Sequence, residues 1–289
     1  AHRFLVFGAV ITGSFTLLML LADAPNAPYL LAVGFVPVVV AASCLLAIVV
    51  AHEIVATIIF LVTQGLKGTN SLLHVSLLVL IYLANLVAGY LDDQAYLSWD
   101  YSLNPILLLA LSSLLAIWGI RRQQNQMTNF LLEGPTGPLA IAGLAIIATG
   151  SAAFFYTTGN DAAIETIRNI SLYAHISYGI IFLLYVISNF GALLKENYPV
   201  ARILYKPNAM PFFTFRLAGT ITMVGFLLYN FWLRPVRDTQ GARDVAMGDY
   251  YLVTGNLKMA EGFYKKSDYT AFHNHHANFV LANIEGARG

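Results

Sequence analysis

Four ionisable residues lie inside or beside apolar stretches that otherwise hold few charges. They are His52, Glu53, His74 and Arg216. An ionisable group at membrane depth is costly, so each of the four is a candidate functional residue. A carboxylate can pair with a guanidinium, and a histidine can carry protons or bind a metal ion. They could form one polar cluster if the helices that carry them place all four at the same depth.

The elements that would position them are apolar runs long enough to cross a bilayer. The runs comprise residues 4–22, 29–64, 71–91, 103–120, 138–156, 172–194 and 213–233. The second run is too long for one upright span, yet nothing within it offers a hairpin loop. We interpret it as one helix with a kink at Pro37, whose final part from His52 runs past or along the membrane face. This gives seven spans.

Composition supports a membrane protein. Apolar residues make up 58% of the 289 residues and charged residues 11%, whereas soluble domains carry about 25% charged residues. The net charge of +1 argues against nucleic acid as a partner, because phosphate binding needs clustered cations. Cys44 is the single cysteine, which excludes an intrachain disulfide and a cysteine-based zinc site.

Charges in the connections predict the topology. Basic residues occupy alternate connections, namely Arg3, Lys67, Arg121, Arg122, Lys195, Arg202 and Lys206. Acidic residues occupy the others, namely Asp23, Asp92, Asp93, Asp100, Asp161 and Glu165. Because basic connections stay in the cytoplasm, the N-terminus is predicted inside and everything after residue 233 outside, in the periplasm of a bacterial inner membrane. Three arginines at positions 234, 237 and 243 oppose this assignment and are outweighed by the earlier connections.

This topology places the four candidates on the cytoplasmic side. His52 and Glu53 fall about 35 Å beyond the outer start of their helix. Glu53 could pair with Arg216, or the side chains could simply extend to water. Neighbours in a helix diverge by about 100°, so His52 and Glu53 are not expected to face one partner. His175 is expected near the outer end of the sixth span. We predict no catalytic residue, no metal site and no cofactor.

The chain after residue 241 has a different pattern. The small residue Gly248 returns 34 positions later as Ala282, and Met247 likewise corresponds to Leu281. A period of 34 is typical of helical repeats. The positions that carry this pattern are Gly248, Tyr251, Gly255, Ala260, Tyr264, Ser267, Leu281 and Ala282. Their spacing predicts two antiparallel helices that approach closely at small residues. An amphipathic hairpin without a repeat is the alternative.

In these positions residues 241–289 resemble the tetratricopeptide-repeat family. Asp244 stands where the family often has an aromatic residue, and Phe272 stands where it usually has proline. The resemblance implies a surface that binds other proteins. Such units cannot bury their apolar faces alone and generally need about three in a row. Since the chain starts with Ala1 and stops within a second unit, we expect it to be a fragment with more repeats beyond Gly289.

The sequence therefore predicts an all-α protein with two parts. Residues 1–235 form a polytopic helix bundle, and residues 236–289 begin an extracytoplasmic repeat array. Its partners would be membrane lipids and other protein subunits, in a scaffold of a cell-envelope complex. The alternative is a membrane-embedded enzyme or transporter, for example one that acts on lipid-linked glycans. The scarcity of acidic residues within the spans favours the scaffold. His273, His275 and His276 could bind a metal or lie on a solvated surface.

Overall fold

The structure is a computed structural model that describes most of the chain. The described residues are 2–22, 27–65, 71–123, 136–191, 212–231, 235–271 and 274–287. Every regular element within these ranges is a helix, which confirms the all-α prediction. Phe272 and His273 lie outside the described residues.

Twelve helices follow one another in these ranges. They are α1 (His2–Leu21), α2 (Ala27–Gly34), α3 (Val36–Val50), α4 (Glu53–Gly65), α5 (Ser71–Asp93), α6 (Pro105–Gln123), α7 (Thr136–Thr158), α8 (Asp161–Phe190), α9 (Phe212–Phe231), α10 (Pro235–Val253), α11 (Leu257–Thr270) and α12 (His275–Gly286).

Four stretches of the described chain are long and apolar enough to cross a membrane. They are Ala27–Val62, Leu72–Asp93, Gly137–Thr158 and Asp161–Phe190. Three shorter apolar helical stretches accompany them, namely Gly8–Leu21, Pro105–Gly119 and Thr214–Tyr229. These lengths and compositions are those of a membrane protein.

Helix α8 is the centre of the bundle. In its most apolar window 78% of the residues are buried, against 22% in α7. It packs against α3, α5, α6, α7 and α9. Close approach to α5 depends on Gly179, because a Cβ there would lie 2.8 Å from the Leu83 side chain. The other helices are therefore arranged around α8.

The long second run is interrupted twice. A turn at Phe35 precedes Pro37, which occupies one of the first two positions of α3, where the missing N–H of proline costs nothing. The predicted change in the helix at Pro37 is thus present. A second turn covers Ala51 and His52. Neither residue is a glycine or proline, so the sequence has no turn signal there.

Helix α4 changes direction at this second turn. Its first residue, Glu53, faces Gly119 of α6, where an added Cβ would lie 3.3 Å from the carboxylate. The Phe60 ring meets the ring of Trp118, one residue earlier on α6, at a centroid distance of 5.5 Å. Glu53 and Phe60 are about 10 Å apart along their helix. Because both reach the same level of α6, α4 crosses α6 at an angle.

Helix α8 begins earlier than the apolar run suggested. Its first residue is Asp161, and the Asn160 side chain caps it by accepting a hydrogen bond from the backbone N–H of Ala163 at 3.2 Å. The polar residues of the first turns lower the hydropathy without weakening the helix. His175 consequently lies fourteen residues inside α8, so its predicted place near the outer end of the span was wrong.

The last three helices pack on the bundle. Helix α10 contacts α8, α2 and α3, and α11 packs along α10. Ala242 and Ala271 belong to the same apolar core as the bundle helices. The predicted division between residues 235 and 236 coincides with the start of α10. We call this end of the bundle, where α10 and α11 pack, the hairpin end. The opposite end, where His52, Glu53 and Arg216 lie, is the triad end.

Candidate functional site

Three of the four ionisable candidates meet at the triad end. Arg216, in the first turn of α9, places Nη2 2.6 Å from Nε2 of His52. The same imidazole nitrogen lies 3.1 Å from Oε1 of Glu53. His52 therefore sits between the carboxylate and the guanidinium. We call His52, Glu53 and Arg216 the buried triad.

The turn at Ala51 and His52 makes this convergence possible. Within a regular helix the side chains of His52 and Glu53 would diverge by about 100°, and we expected them not to face one partner. His52 instead belongs to the turn and Glu53 to the first turn of α4. This break in the helix brings the two neighbouring side chains together, so the expectation of divergence was wrong.

The triad is enclosed by its neighbours. The exposed fractions of the His52 and Glu53 side chains are 8% and 17%. Tyr178 of α8 packs its ring 5.7 Å from that of His52. The Tyr178 hydroxyl lies 2.9 Å from both the carbonyl oxygen of Ile48 and the hydroxyl of Thr220. Side chains this buried are not the freely solvated groups that an interfacial position would give.

His74 is placed differently. It lies in the first turn of α5 with its side chain exposed, so it does not share the enclosed environment of the triad. Among the described residues, no three His, Cys, Asp or Glu side chains are grouped so that they could hold a metal ion.

A second buried histidine was not anticipated as a polar centre. His175 places Nδ1 2.7 Å from the carbonyl oxygen of Ser171 and Nε2 2.7 Å from the Ser112 hydroxyl. A carbonyl can only accept, so Nδ1 donates to Ser171. The Ser112 hydroxyl lies 2.7 Å from both Nε2 and the carbonyl oxygen of Leu108. The Ser171 hydroxyl donates to the carbonyl of Pro105 at 2.6 Å. This set of hydrogen bonds joins α6 to α8 at His175.

The residues of the repeat pattern form the core of the hairpin. Ala260, Tyr264 and Ser267 of α11 are fully buried. A Cβ on Gly248 would lie 2.6 Å from the Tyr264 ring, so only glycine allows α10 and α11 to approach this closely. Gly255 ends the turn between them with a φ of +79°, a conformation that favours glycine.

The remaining pattern residues are less enclosed. Tyr251 stacks on Phe263 with ring centroids 5.4 Å apart. Leu281 is half-buried against the hairpin core, and Ala282 is exposed on α12. Asp244 is buried and pairs with Lys266 of α11 at 3.0 Å.

Specific contacts fix the hairpin to the bundle. The Asn160 side chain donates to the carbonyl of Ala242 at 2.9 Å, while its oxygen caps α8. The backbone N–H of His275 donates to Oδ2 of Asp161 at 3.2 Å. Tyr29 of α2 stacks on Tyr250 of α10 with ring centroids 6.0 Å apart. Polar and aromatic contacts thus hold α10 and α12 to two parts of the bundle, the start of α8 and helix α2.

At this junction, Asp249 of α10 forms hydrogen bonds with residues of α11 and α12. Oδ1 of Asp249 accepts hydrogen bonds from the Tyr264 hydroxyl at 2.6 Å and from Nε2 of His276 at 2.8 Å. The hydrogen bond to Asp249 raises the pKa of His276 above its ordinary value of 6.5, against the opposing effect of burial. Burial and the same carboxylate raise the pKa of Tyr264. His276 therefore favours its charged form where α12 meets α10.

A polar crevice of about 1020 Å³ opens beside this junction. Arg168 of α8 lines it and donates to both carboxylate oxygens of Asp93, at 2.8 and 3.0 Å, and to Glu165 at 3.2 Å. His275 and Asp238 line the hairpin side. Arg168 is thus shared between a carboxylate of its own helix and one of α5.

Comparison with known proteins adds no assignment to this geometry. No protein family, curated protein or solved structure matches the chain.

Proposed function

We propose that the protein is a multi-pass membrane scaffold that presents a tetratricopeptide-like hairpin to another subunit of a cell-envelope complex. The observation that carries this proposal is the attachment of the hairpin. Asn160 and Asp161 contact it from the start of α8, and Tyr29 contacts it from α2. A hairpin held in this way has a fixed orientation relative to the membrane, as a scaffold requires.

The face directed away from the bundle supplies the surface for a partner. Tyr269 on α11 is 89% exposed and Phe279 on α12 is 68% exposed. Aromatic side chains are enriched in protein interfaces, where they bury large areas at low entropic cost. We propose that these two residues contact the partner subunit.

The proposed topology has seven spans, a cytoplasmic N-terminus and a periplasmic hairpin in a bacterial inner membrane. Supporting it, basic residues fall in alternate connections along the sequence, namely those with Arg3, Lys67, Arg121 and Lys195. Lysine and arginine concentrate in cytoplasmic connections, whereas acidic residues contribute little to orientation.

Site-specific photo-crosslinking in native membranes tests the scaffold. A photoreactive phenylalanine analogue replaces Phe279 or Tyr269, and crosslinked products are identified by mass spectrometry. Tyr96 is the matched control, because it is also 81% exposed but lies in the connection between α5 and α6. We expect one discrete protein adduct from positions 279 and 269. Adducts at position 96 alone, or the same random adducts at all three positions, would contradict the proposal.

Cysteine labelling in intact cells tests the topology. On a Cys44→Ser background, Tyr269→Cys is expected to react with a membrane-impermeant maleimide. Arg122→Cys lies at the C-terminal end of α6, in a connection predicted to be cytoplasmic. It is expected to react only after the membrane is permeabilised. Labelling of position 122 but not 269 in intact cells would reverse the orientation.

The buried triad favours a second candidate, a membrane-embedded transporter that moves protons. Its ionisable groups come from two separate parts of the chain, and histidine can exchange a proton with a carboxylate. Proteoliposomes with a pH-sensitive dye inside test it. This candidate requires that wild-type protein dissipates an imposed pH gradient and that Glu53→Gln does not. An unchanged gradient with wild-type protein excludes it.

A further inference from the structure

An elongated apolar groove of about 640 Å³ runs along the outside of the bundle. Its walls come from α1, from α2 and α3, and from α7, and one end is closed by α10. Residues of these walls include Phe15, Met19, Val38, Ala42, Ile147 and Phe154. Val38 and Phe154 are each more than half exposed. The groove is therefore open on the side that faces lipid.

The dimensions of the groove match one lipid tail. Along α7 it extends from Ile146 to Thr158, which is about 18 Å at the α-helical rise. One leaflet of a bilayer contributes about 15 Å of hydrocarbon, half of the core thickness. Gly150 contributes to the open space, since a Cβ built there meets no atom within 4 Å. A single acyl chain of one leaflet can lie along this groove.

The end of the groove at the hairpin is polar. Tyr29, Thr158, Asn160 and Asp249 line it there. Of all the described residues that line the groove, Asp249 is the one with a formal charge at neutral pH. A lipid that inserts its tail would place its headgroup beside this carboxylate.

Asp249 has one oxygen available for that headgroup. Both of its hydrogen bonds, from Tyr264 and His276, reach Oδ1. Within the described part of the chain, Oδ2 accepts no hydrogen bond. The two bonds to Oδ1 hold the carboxylate in place, and an N–H donor with a positive charge is the strongest partner for the second oxygen.

We propose that this groove binds a diacyl phospholipid with a primary ammonium headgroup, of the phosphatidylethanolamine type. One of its two acyl chains would lie between α3 and α7. Its ammonium group would donate to Oδ2 of Asp249. An anionic headgroup without an amine has no N–H to donate to Oδ2. His276 bonds the same carboxylate at Oδ1 and does not line the groove. This site is independent of whether the hairpin binds a partner protein.

Native mass spectrometry of the full chain in detergent tests the proposal. The protein is mixed with phosphatidylethanolamine, phosphatidylglycerol or phosphatidylcholine, each with identical acyl chains. We expect one bound phosphatidylethanolamine, at about tenfold higher affinity than either of the others, which is the effect of one charge-assisted hydrogen bond. Phosphatidylcholine is informative because its ammonium group has the same charge and no N–H to donate.

Two variants separate the tail from the headgroup. Asp249→Asn is expected to bind all three lipids equally, because it keeps an oxygen acceptor and loses the charge. Gly150→Leu fills the groove and is expected to lose the bound lipid. Gly143→Leu is its matched control on α7, since a Cβ there also meets no atom within 4 Å and the residue lies outside the groove. Binding by Gly143→Leu should equal wild type.

Three results would overturn the proposal. They are no bound lipid in wild type, equal binding of the three lipids by wild type, and binding by Gly150→Leu equal to that by Gly143→Leu. The comparison of lipids on wild-type protein decides the headgroup even if Asp249→Asn fails to fold.

Discussion

The two ends of the bundle hold their ionisable groups in opposite ways. At the hairpin end, Asp93, Asp161 and Asp249 have separate hydrogen-bond partners, and Asp93 and Asp161 line an open polar crevice. At the triad end, one carboxylate, one imidazole and one guanidinium share a single enclosed contact. The ionisable groups are thus spread over several separate contacts at the hairpin end, and they are grouped in one contact at the triad end.

This difference determines how each end should respond to mutation. A charge with access to water loses little when its partner is removed, because solvent replaces the partner. A buried charge that loses its partner keeps the full cost of desolvation. Substitutions at the triad end should therefore be more harmful than those at the hairpin end, where packing and helix caps account for most of the stability.

The largest effect is expected from Arg216→Leu. It leaves His52 and Glu53 buried without the guanidinium, and we expect the free energy of unfolding to fall by about 3 kcal/mol. The measurement is a denaturant titration of the protein in detergent micelles. Arg237→Leu is the control, because Arg237 is an exposed arginine at the hairpin end, where a surface substitution costs less than about 0.5 kcal/mol.

A double variant refines this test. Glu53→Gln removes the carboxylate, so Arg216→Leu combined with Glu53→Gln should recover part of the lost stability. Equal losses for Arg216→Leu and Arg237→Leu would show that the two ends do not differ as described.

Packing at the hairpin end is tested by Gly248→Ala. The new Cβ would lie 2.6 Å from the Tyr264 ring, and overpacking of this kind costs about 1 to 3 kcal/mol. Gly262→Ala on α11 is the control, since its Cβ meets no atom within 4 Å and alanine should stabilise the helix by about 0.5 to 1 kcal/mol. Thermal unfolding should shift in opposite directions, and a shift in the same direction would refute the close approach.

The cap that joins α8 to α10 should have a smaller effect. Asn160→Ala removes the cap of α8 and the hydrogen bond to Ala242, with an expected loss of about 2 kcal/mol. Asn256→Ala removes only the exposed cap of α11, where the side chain accepts from Met259, with a loss of about 1 kcal/mol. Their difference in unfolding free energy measures the docking contact, and no difference would mean that this contact contributes nothing.

The smallest effect concerns pH. The pKa of His276 is raised in the folded protein by Asp249, so the folded state binds the proton more tightly than the unfolded state. The added stability is complete below the ordinary pKa of 6.5 and is lost as the pH rises through the higher folded value. Asp249 and Asp161 are the charges that favour the proton, and burial opposes them.

Hydrogen exchange of α12 measures this dependence. Protection of α12 should be greater at pH 6 than at pH 8.5 in wild type. His276→Gln should reduce the difference, because glutamine can donate to Asp249 and cannot titrate. His275→Gln is the control, as its side chain is exposed. A pH dependence that persists unchanged in His276→Gln would assign it to other groups.

The hairpin end was the more predictable from sequence because its determinants are local. Gly248 and Tyr264 are sixteen positions apart, and their spacing predicted the close approach that the structure contains. Asn160, three residues before the N–H it caps, is a common signal of a helix start. We nevertheless expected the apolar span to begin at Leu172, because hydropathy locates apolar length and does not locate helix ends.

The triad end was predicted only in outline. The sequence identified His52, Glu53 and Arg216 as candidates because ionisable groups are rare in apolar runs. It did not predict that His52 bridges the other two, since this depends on the turn at Ala51, which carries no glycine or proline. The pairing of His175 with Ser112, 63 positions away, was missed for another reason. Periodicity does not say which helices become neighbours.

The separation of the triad residues along the chain has a consequence during synthesis. Arg216 follows His52 by 164 positions, and ribosomes add about 5 to 20 residues per second. His52 and Glu53 are therefore synthesised roughly 10 to 30 s before the guanidinium that His52 contacts. Throughout that interval the imidazole and the carboxylate have no Arg216 beside them. The triad can form only after most of the bundle has been synthesised.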